Sequence, residues 1–446
     1  MSLKCVKKYK TKTQKNVQHN NNINTSKILC GGKYIDKGSF GCVVKPAIKC
    51  YKRDSNTQLK QSISKIIHDS GDDGDTSLDE LKMSTILKKL DPEQHYYLTY
   101  IKFCYINDIP VDRKDITNAH KKKDNNKNNI IHKQSSNSNH RNKHKHVCKI
   151  DLTLKPLNII MDYGGYSLYN IIKYNITNTH INTHTKNGLK VLMHKLFIKN
   201  LKENFKHLLL GIVKMHNNRI VNRDIKPKNI LMKLNTEHTA AYIDTHIDNN
   251  DKDTNPNTNP NTNPIYTILL RYIDFGLSEI LTSLHCSDID NISINGTRHY
   301  ISPELYITYI YHKYNTNNTE EYIIKKINTE IHNNVYKAFN IINELSMISD
   351  LDNKNKQLYD TIKNLYNTKK ILPYYFGTTK HKFNGYLQKN DVYALGLTMF
   401  ELLYIYSDYN MTENLELYDL LKHMIAFDPY IRYNAVQCIN HAYFTG

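Results

Sequence analysis

Apolar residues occur in short runs separated by long polar stretches, and the runs show two periods. Lys33-Tyr34-Ile35 and Ile63-Ser64-Lys65-Ile66-Ile67 are brief β-type runs. Thr76–Leu90 places Leu78, Leu81, Ile86, Leu87 and Leu90 at the spacing of one helix face. Tyr97–Ile106 reads as a strand, and so does the largely apolar run Leu154–Tyr163. Helical spacing follows weakly over Ser167–Tyr174 and strongly over Phe197–His216. Ile265–Ile273 predicts a further strand. Residues 319–349 return to helical spacing through Ile323, Ile327, Ile331, Val335, Phe339 and Ile342. Short strands come first and helices later.

The polar stretches set the domain organisation. Residues 1–29 hold seven Lys and no acid and predict a disordered basic tail. Residues 108–148 are rich in Lys, Asn and His and predict a low-complexity insert. His132, His140, His144 and His146 fall there, but no Cys or acid pattern completes a metal site. A second insert, 244–264, repeats Asn-Pro-Asn-Thr from Asn255 to Pro264, and proline every four residues precludes a helix or a central strand. It interrupts two segments that must pair. A third insert covers 305–385, either a helical block packed on its own domain or a docking module.

Charge changes the picture only locally. The formal net charge is +19, which first suggests a nucleic-acid binder. Residues 1–29 carry +7 of it and residues 111–150 carry +8, so the rest is near neutral. Nucleic acid is therefore expected only as a nonspecific contact of tail and insert. The 34 Tyr, the lack of Trp and the abundant Asn and Lys read as an AT-rich coding sequence. The eight Cys form no C-x-x-C pair and suggest neither a disulfide framework nor a zinc site. No apolar h-region opens the chain, and no run of about 18 apolar residues occurs. These features predict a soluble intracellular protein without a membrane partner.

The candidate chemistry centres on Val221-Asn222-Arg223-Asp224-Ile225-Lys226-Pro227-Lys228-Asn229. A carboxylate can accept a hydroxyl proton, an ammonium two residues on can neutralise a transferring phosphate, and a carboxamide oxygen can ligate Mg²⁺. Upstream, Asp36-Lys37-Gly38-Ser39-Phe40-Gly41-Cys42-Val43 has two glycines whose main chain can approach phosphate oxygens. Lys65 stands inside an apolar strand and needs a partner, and Glu80 lies in the first turns of the next helix. Lys60 and Glu93 are the rivals for these two roles. Downstream come Asp274-Phe275-Gly276 after an apolar strand, then Gly296-Thr297-Arg298-His299-Tyr300-Ile301-Ser302-Pro303-Glu304 and Asp391-Val392-Tyr393-Ala394-Leu395-Gly396.

In this order the motifs resemble those of eukaryotic-type protein kinases of the Ser/Thr branch, over about residues 30–446. The resemblance implies an α+β, two-lobed kinase fold. A small β-rich N-lobe would cover 30–163 and a larger, mainly helical C-lobe 164–446, with ATP between them. It implies Asp224 and Lys226 as catalytic residues and Asn229 and Asp274 as Mg²⁺ ligands. Ile35 through Val43, Lys65 and Glu80 would hold the nucleotide. Met161 would be the gatekeeper, the backbone from Asp162 to Gly164 would meet the adenine edge, and Leu231 would form the pocket floor. Asp391 would hold the catalytic-loop backbone, and Glu304 and Arg432 would form a buried pair. Asp36 stands where the first glycine is usual, Asn222 where His is, and Ser302 where Ala is.

The implied reaction is transfer of the γ-phosphoryl group of ATP to a protein hydroxyl. Lys226 and Thr297 favour Ser/Thr over Tyr. The long third insert, the Ser-Pro-Glu variant and the AT-rich composition resemble kinases of large DNA viruses, which would place the protein in host cytoplasm or virion. A pseudokinase scaffold and a nucleic-acid binder stay open as readings from other classes. Arg223 would meet a phosphate on Thr282, Ser283, Ser287 or Ser293, or else the fixed carboxylates of Asp288 and Asp290, with the carboxylates favoured. Thr297 is instead expected near Asp224 and Lys226.

Overall fold

The computed structural model describes residues 33–38, 41–50, 54, 56–67, 76–106, 156–177, 186–236, 266–281, 296–305, 380–405, 414–426 and 429–446, with five positions between 319 and 329. The tail 1–29, the first two inserts, most of the third, Ser39, Phe40, Asp288, Asp290 and the segment 282–295 lie outside the described residues.

The first part of the chain is an antiparallel five-stranded sheet in the order β1-β2-β3-β5-β4. Its strands are β1 (Lys33–Gly38), β2 (Gly41–Lys45), β3 (Ser62–Ile67), β4 (Tyr100–Tyr105) and β5 (Leu157–Asp162). A short helix α1 (Asn56–Gln61) leads into β3, and α2 (Thr76–Leu90) follows it. Period-2 alternation divides the sheet. Lys65 and Ile67 share one face with Leu157, Ile159 and Met161, while Ile66 faces the other side with Cys42, its register partner. The helix α2 keeps its predicted bounds, with Leu81, Met83 and Leu87 buried, Asp79 in its first turn, and Lys88 and Lys89 in its last.

The second part is mainly helical. It contains α3 (Leu168–Thr177), α4 (Lys186–Lys199), α5 (Leu201–Asn217), α6 (Lys380–Ile405), α7 (Leu415–Met424), α8 (Ala435–Ile439) and α9 (Ala442–Thr445). In α5, Leu201, Phe205, Leu208, Leu209, Ile212 and Met215 form one buried stripe. Every residue of α6 from Asn390 to Leu403 is buried, and this helix packs against α3, α5 and α7. Two small sheets lie at its edge. One has the order β6 (Tyr166–Ser167), β8 (Ile230–Thr236), β9 (Tyr266–Tyr272), and the other pairs β7 (Ile220–Val221) with β10 (Glu279–Ile280). β8 and β9 pair across the second insert, as the sequence requires.

Three sequence expectations are corrected. The strand expected over Tyr97–Ile106 begins only at Tyr100. Tyr97 instead makes an isolated bridge to Tyr272, and its hydroxyl donates to the Gly211 carbonyl at 2.5 Å. The helix expected over Phe197–His216 is two helices broken at Asn200, with Phe197 on the first. The third insert, expected to run to about 385, gives way to α6 already at Lys380. The architecture is mixed α+β, with antiparallel sheets and helices, and no helix among the described residues is long and apolar enough to cross a membrane.

The cysteines are also corrected. Cys50 and Cys104 form a disulfide across 54 residues, with Cα atoms 5.7 Å apart. Spacing along the chain could not show this, because the sheet brings the segment after β2 over β4. Cys42 is disulfide-bonded as well, and Cys438 is the free thiol among the described residues.

Candidate functional site

The Val221–Asn229 loop begins where α5 ends. Asn218 and Arg219 turn the chain, with Arg219 at φ 57°, and β7 delivers it to Asn222. The loop backbone hangs on one buried carboxylate of α6. Asp391 accepts the N–H of Asn222 at 2.7 Å and that of Arg223 at 2.8 Å, and His216 lies 3.1 Å from it. This is the place the resemblance implied for Asp391. Arg223 takes up φ 69°, a conformation that costs energy in a non-glycine residue and here is held by those bonds. Ile225 and Pro227 are buried below, and Pro227–Asn229 form a single 3₁₀ turn.

Four donors converge on the Asp224 carboxylate. Thr297 N and Thr297 Oγ1 donate to Oδ1 at 3.0 and 2.7 Å, and Lys226 Nζ and Asn229 Nδ2 donate to Oδ2 at 2.7 and 2.8 Å. Lys226 also donates to Thr297 Oγ1 at 2.6 Å, so Thr297 sits where the sequence expected it. The approach requires glycine at 296, which adopts φ 126° and whose Cβ would meet the Arg223 carbonyl. Asn222, standing where His is usual, accepts the Asp224 backbone N–H at its Oδ1 at 3.0 Å. A carboxamide thus fixes the Asp224 main chain with a group that does not titrate.

A second cluster joins residues that are distant in sequence. Lys65 Nζ lies 2.6 Å from Glu80 Oε1 and 2.6 Å from Asp274 Oδ1. Burial alone would lower the Lys65 ammonium, but the carboxylates of Asp274 and Glu80 outweigh it and hold the group above its ordinary value. Lys65 holds the Asp274 carboxyl below its usual value against the effect of burial, and Lys226 adds to this. Burial pushes Glu80 up, opposed by Lys65 and reinforced by Asp274. The rivals drop out, since Lys60 is exposed on α1 and Glu93 is exposed beyond the end of α2.

The two clusters touch. Ile273 N donates to Asn229 O at 3.0 Å, which sets Asp274 beside Asn229. Asp274 has φ 65°, and Phe275 is buried edge-on against Tyr97 with ring centroids 6.0 Å apart. Asn229 spends both amide hydrogens on Asp224, at its carboxylate and at its carbonyl, and so has its amide oxygen left for a cation. Asp274 has one carboxylate oxygen engaged by Lys65. Two oxygen donors are too few for an all-protein cage, and no cluster of three or more His, Cys, Asp or Glu occurs among the described residues. The pair suits Mg²⁺, which keeps waters and phosphate oxygens in its shell.

The remaining predicted residues fall around this centre. Asp36, Lys37 and Gly38 end β1 and pair with Val43, Cys42 and Gly41 of β2. Ile35 is exposed on β1. Val43 pairs with Lys65 and Lys65 with Ile159. One residue along a strand reverses the face, and the side chain of Cys42 is buried on the side away from Lys65. Met161 packs beside Ile67 and Ile159, Asp162 is exposed, and Gly164 is buried where any side chain would collide with Leu231 and Leu98.

Sequence reasoning missed Glu279, which pairs with Arg223, and Glu401, which accepts the Tyr300 hydroxyl at 2.8 Å. It also did not foresee why Ser302 is tolerated in the core, where its hydroxyl donates to Glu304 at 2.7 Å. A lone acid inside an apolar helix was the available signal for Glu401, and nothing local marked Glu279. No protein-family model matches the chain, and no curated protein matches it.

Proposed function

We propose that this chain is an ATP-dependent Ser/Thr protein kinase with the two-lobed kinase fold. The five-stranded sheet with α2 would be the smaller lobe and the helical second part the larger. The observation that carries the reading is Lys65, paired at once with Glu80 and Asp274 at 2.6 Å from three separate elements. A buried ammonium held by two carboxylates carries a desolvation penalty and marks a candidate functional site. Its partner Asp274 stands beside Asn229, which in turn donates to Asp224, and this supports nucleotide phosphates as the anion.

In this reading Lys65 positions the nonreacting phosphates, with Glu80 orienting it. Asn229 and Asp274 would hold Mg²⁺, which when bound neutralises charge on the phosphates. Asp224 orients the substrate hydroxyl and accepts its proton as the oxygen bonds to the γ-phosphorus and ADP leaves. Lys226 offsets charge on the transferred group. The hydroxyl of Thr297 between Asp224 and Lys226 supports a Ser/Thr substrate. The test is transfer of labelled phosphate from ATP to a generic basic protein, with Asp224→Asn and Lys65→Met as controls. Transfer by wild type that both variants lose is the expected result, and a wild type that transfers nothing sinks the proposal.

One observation favours a second reading, a pseudokinase scaffold. All four donors on Asp224 come from the chain itself, so a substrate hydroxyl must displace one of them. Nucleotide binding without transfer to any member of a peptide library would select it.

A further inference from the structure

The pair formed by Arg223 and Glu279 lies beside Asp224 and is not used by the chemistry above. Arg223 Nη1 donates to Glu279 Oε2, and the two side chains are 14% and 25% exposed. The backbone around Glu279 is tied to the same loop. Glu279 is in register with Val221 and Ile280 with Ile220, while Leu281 N donates to Arg219 O at 2.8 Å. Ser278 Oγ donates to Asn222 O at 3.2 Å. Residues 278–281 are therefore bound, position by position, to residues 219–223.

A guanidinium this far from water needs an anion, and leaving it without one is strongly unfavourable. Here it also belongs to a residue held at φ 69° immediately before Asp224. Among the described residues, its carboxylate partner is Glu279, while Asp288 and Asp290, which the sequence favoured, lie outside the described residues. A phosphate placed on the segment 282–295 would bring about −1.5 to −2 charge to a guanidinium already neutralised, and next to a carboxylate that repels it.

We propose that Glu279 is a positioning residue, the built-in anion that fixes Arg223 and through it Asp224. Phosphoryl transfer then needs no phosphorylation of the segment after Leu281. This inference rests on the kinase reading and concerns regulation of the same site. The chain supplies, within its own β7–β10 pair, the charge that a covalent phosphate would otherwise bring.

The test uses the full-length protein, stripped of phosphate by a phosphatase until its intact mass equals that of the unmodified chain. Expected are an unchanged kcat on the basic protein substrate and an unchanged KM for ATP. Glu279→Gln should lower kcat roughly tenfold to a hundredfold, as a displaced catalytic group does, with KM for ATP nearly constant, and Glu279→Asp should recover part of the loss. The Arg223→Ala/Glu279→Ala double variant should be no slower than Arg223→Ala alone, because the two act as one unit. Wild type active before phosphatase and inactive after it overturns the inference and leaves the kinase reading standing. So does a Glu279→Gln variant as fast as wild type. Wild type inactive before treatment overturns the kinase reading and the inference with it. The phosphatase arm needs no variant, so it decides even if Glu279→Gln fails to fold.

Discussion

Arg432 and Glu304 meet as a bidentate pair with no solvent exposure, at 2.5 and 2.9 Å, across 128 residues. Arg432 also donates to the Ala426 carbonyl, so one guanidinium joins the Ser302–Leu305 turn to the end of α7. Removing either charge strands the other in the core. Glu304→Gln and Arg432→Met should each cost about 3–5 kcal/mol of stability, read as a large fall in Tm. Ser302→Ala removes one donor from Glu304 and should cost roughly 1–3 kcal/mol. Variants that melt with wild type would show that the turn is held by packing alone.

Asp224→Asn should lower phosphoryl transfer by about 10²–10⁴-fold, the usual worth of a positioned base. Nucleotide affinity should stay within a few fold of wild type, since Asp224 pairs with Lys226, Asn229 and Thr297 and not with Lys65. Turnover with titrated nucleotide binding checks both halves, and a variant with wild-type turnover removes Asp224 from the chemistry.

Lys65→Met should abolish transfer and also destabilise the fold, because Glu80 and Asp274 then face each other with no cation between them. Adding Glu80→Gln should restore much of the Tm and none of the activity. Lys60→Met should be silent in both measurements, since Lys60 is exposed. Asp274→Ala should abolish transfer as well, by removing a proposed Mg²⁺ ligand. Activity lost in Lys60→Met and kept in Lys65→Met would refute the assignment.

Glu401 predicts a pH dependence of stability. Burial pushes its carboxyl up to about 7, against the opposing effect of the hydrogen bond from Tyr300. An unfolded glutamate titrates near ~4.3, so the folded state holds the proton more tightly. The benefit is fully present below the unfolded value, fades as pH rises toward 7, and is absent above it. The span is on the order of 3 kcal/mol. Glu401→Gln keeps an acceptor for Tyr300 and should flatten this slope between pH 5 and 7. An unchanged slope of chemical-denaturation stability against pH would show that Glu401 is not its source.

The sequence by itself determined whatever depends on period and local order. The helix Thr76–Leu90 and the β3 run were legible because burial on one face imposes a repeat of 3.6 or 2. Asp224, Lys226 and Asn229 were legible because they stand within one short loop, and Asp274 because it follows an apolar strand. Asp391 and the Glu304–Arg432 pair were reached through the order of motifs, and the structure places them where that order implied.

The sequence preferred Lys65 to Lys60 for its place in an apolar strand, and only the tertiary structure showed Lys65 meeting both Glu80 and Asp274. The same holds for Glu279, which joins Arg223 across 56 residues, and for Cys50 and Cys104 across 54. The break at Asn200 and the single bridge at Tyr97 replaced a longer helix and a longer strand for a related reason. Apolar spacing records which residues are buried, but not where neighbouring elements force the chain to turn. Long-range partners leave no periodic trace, because the distance between two side chains is set by the path of the backbone between them.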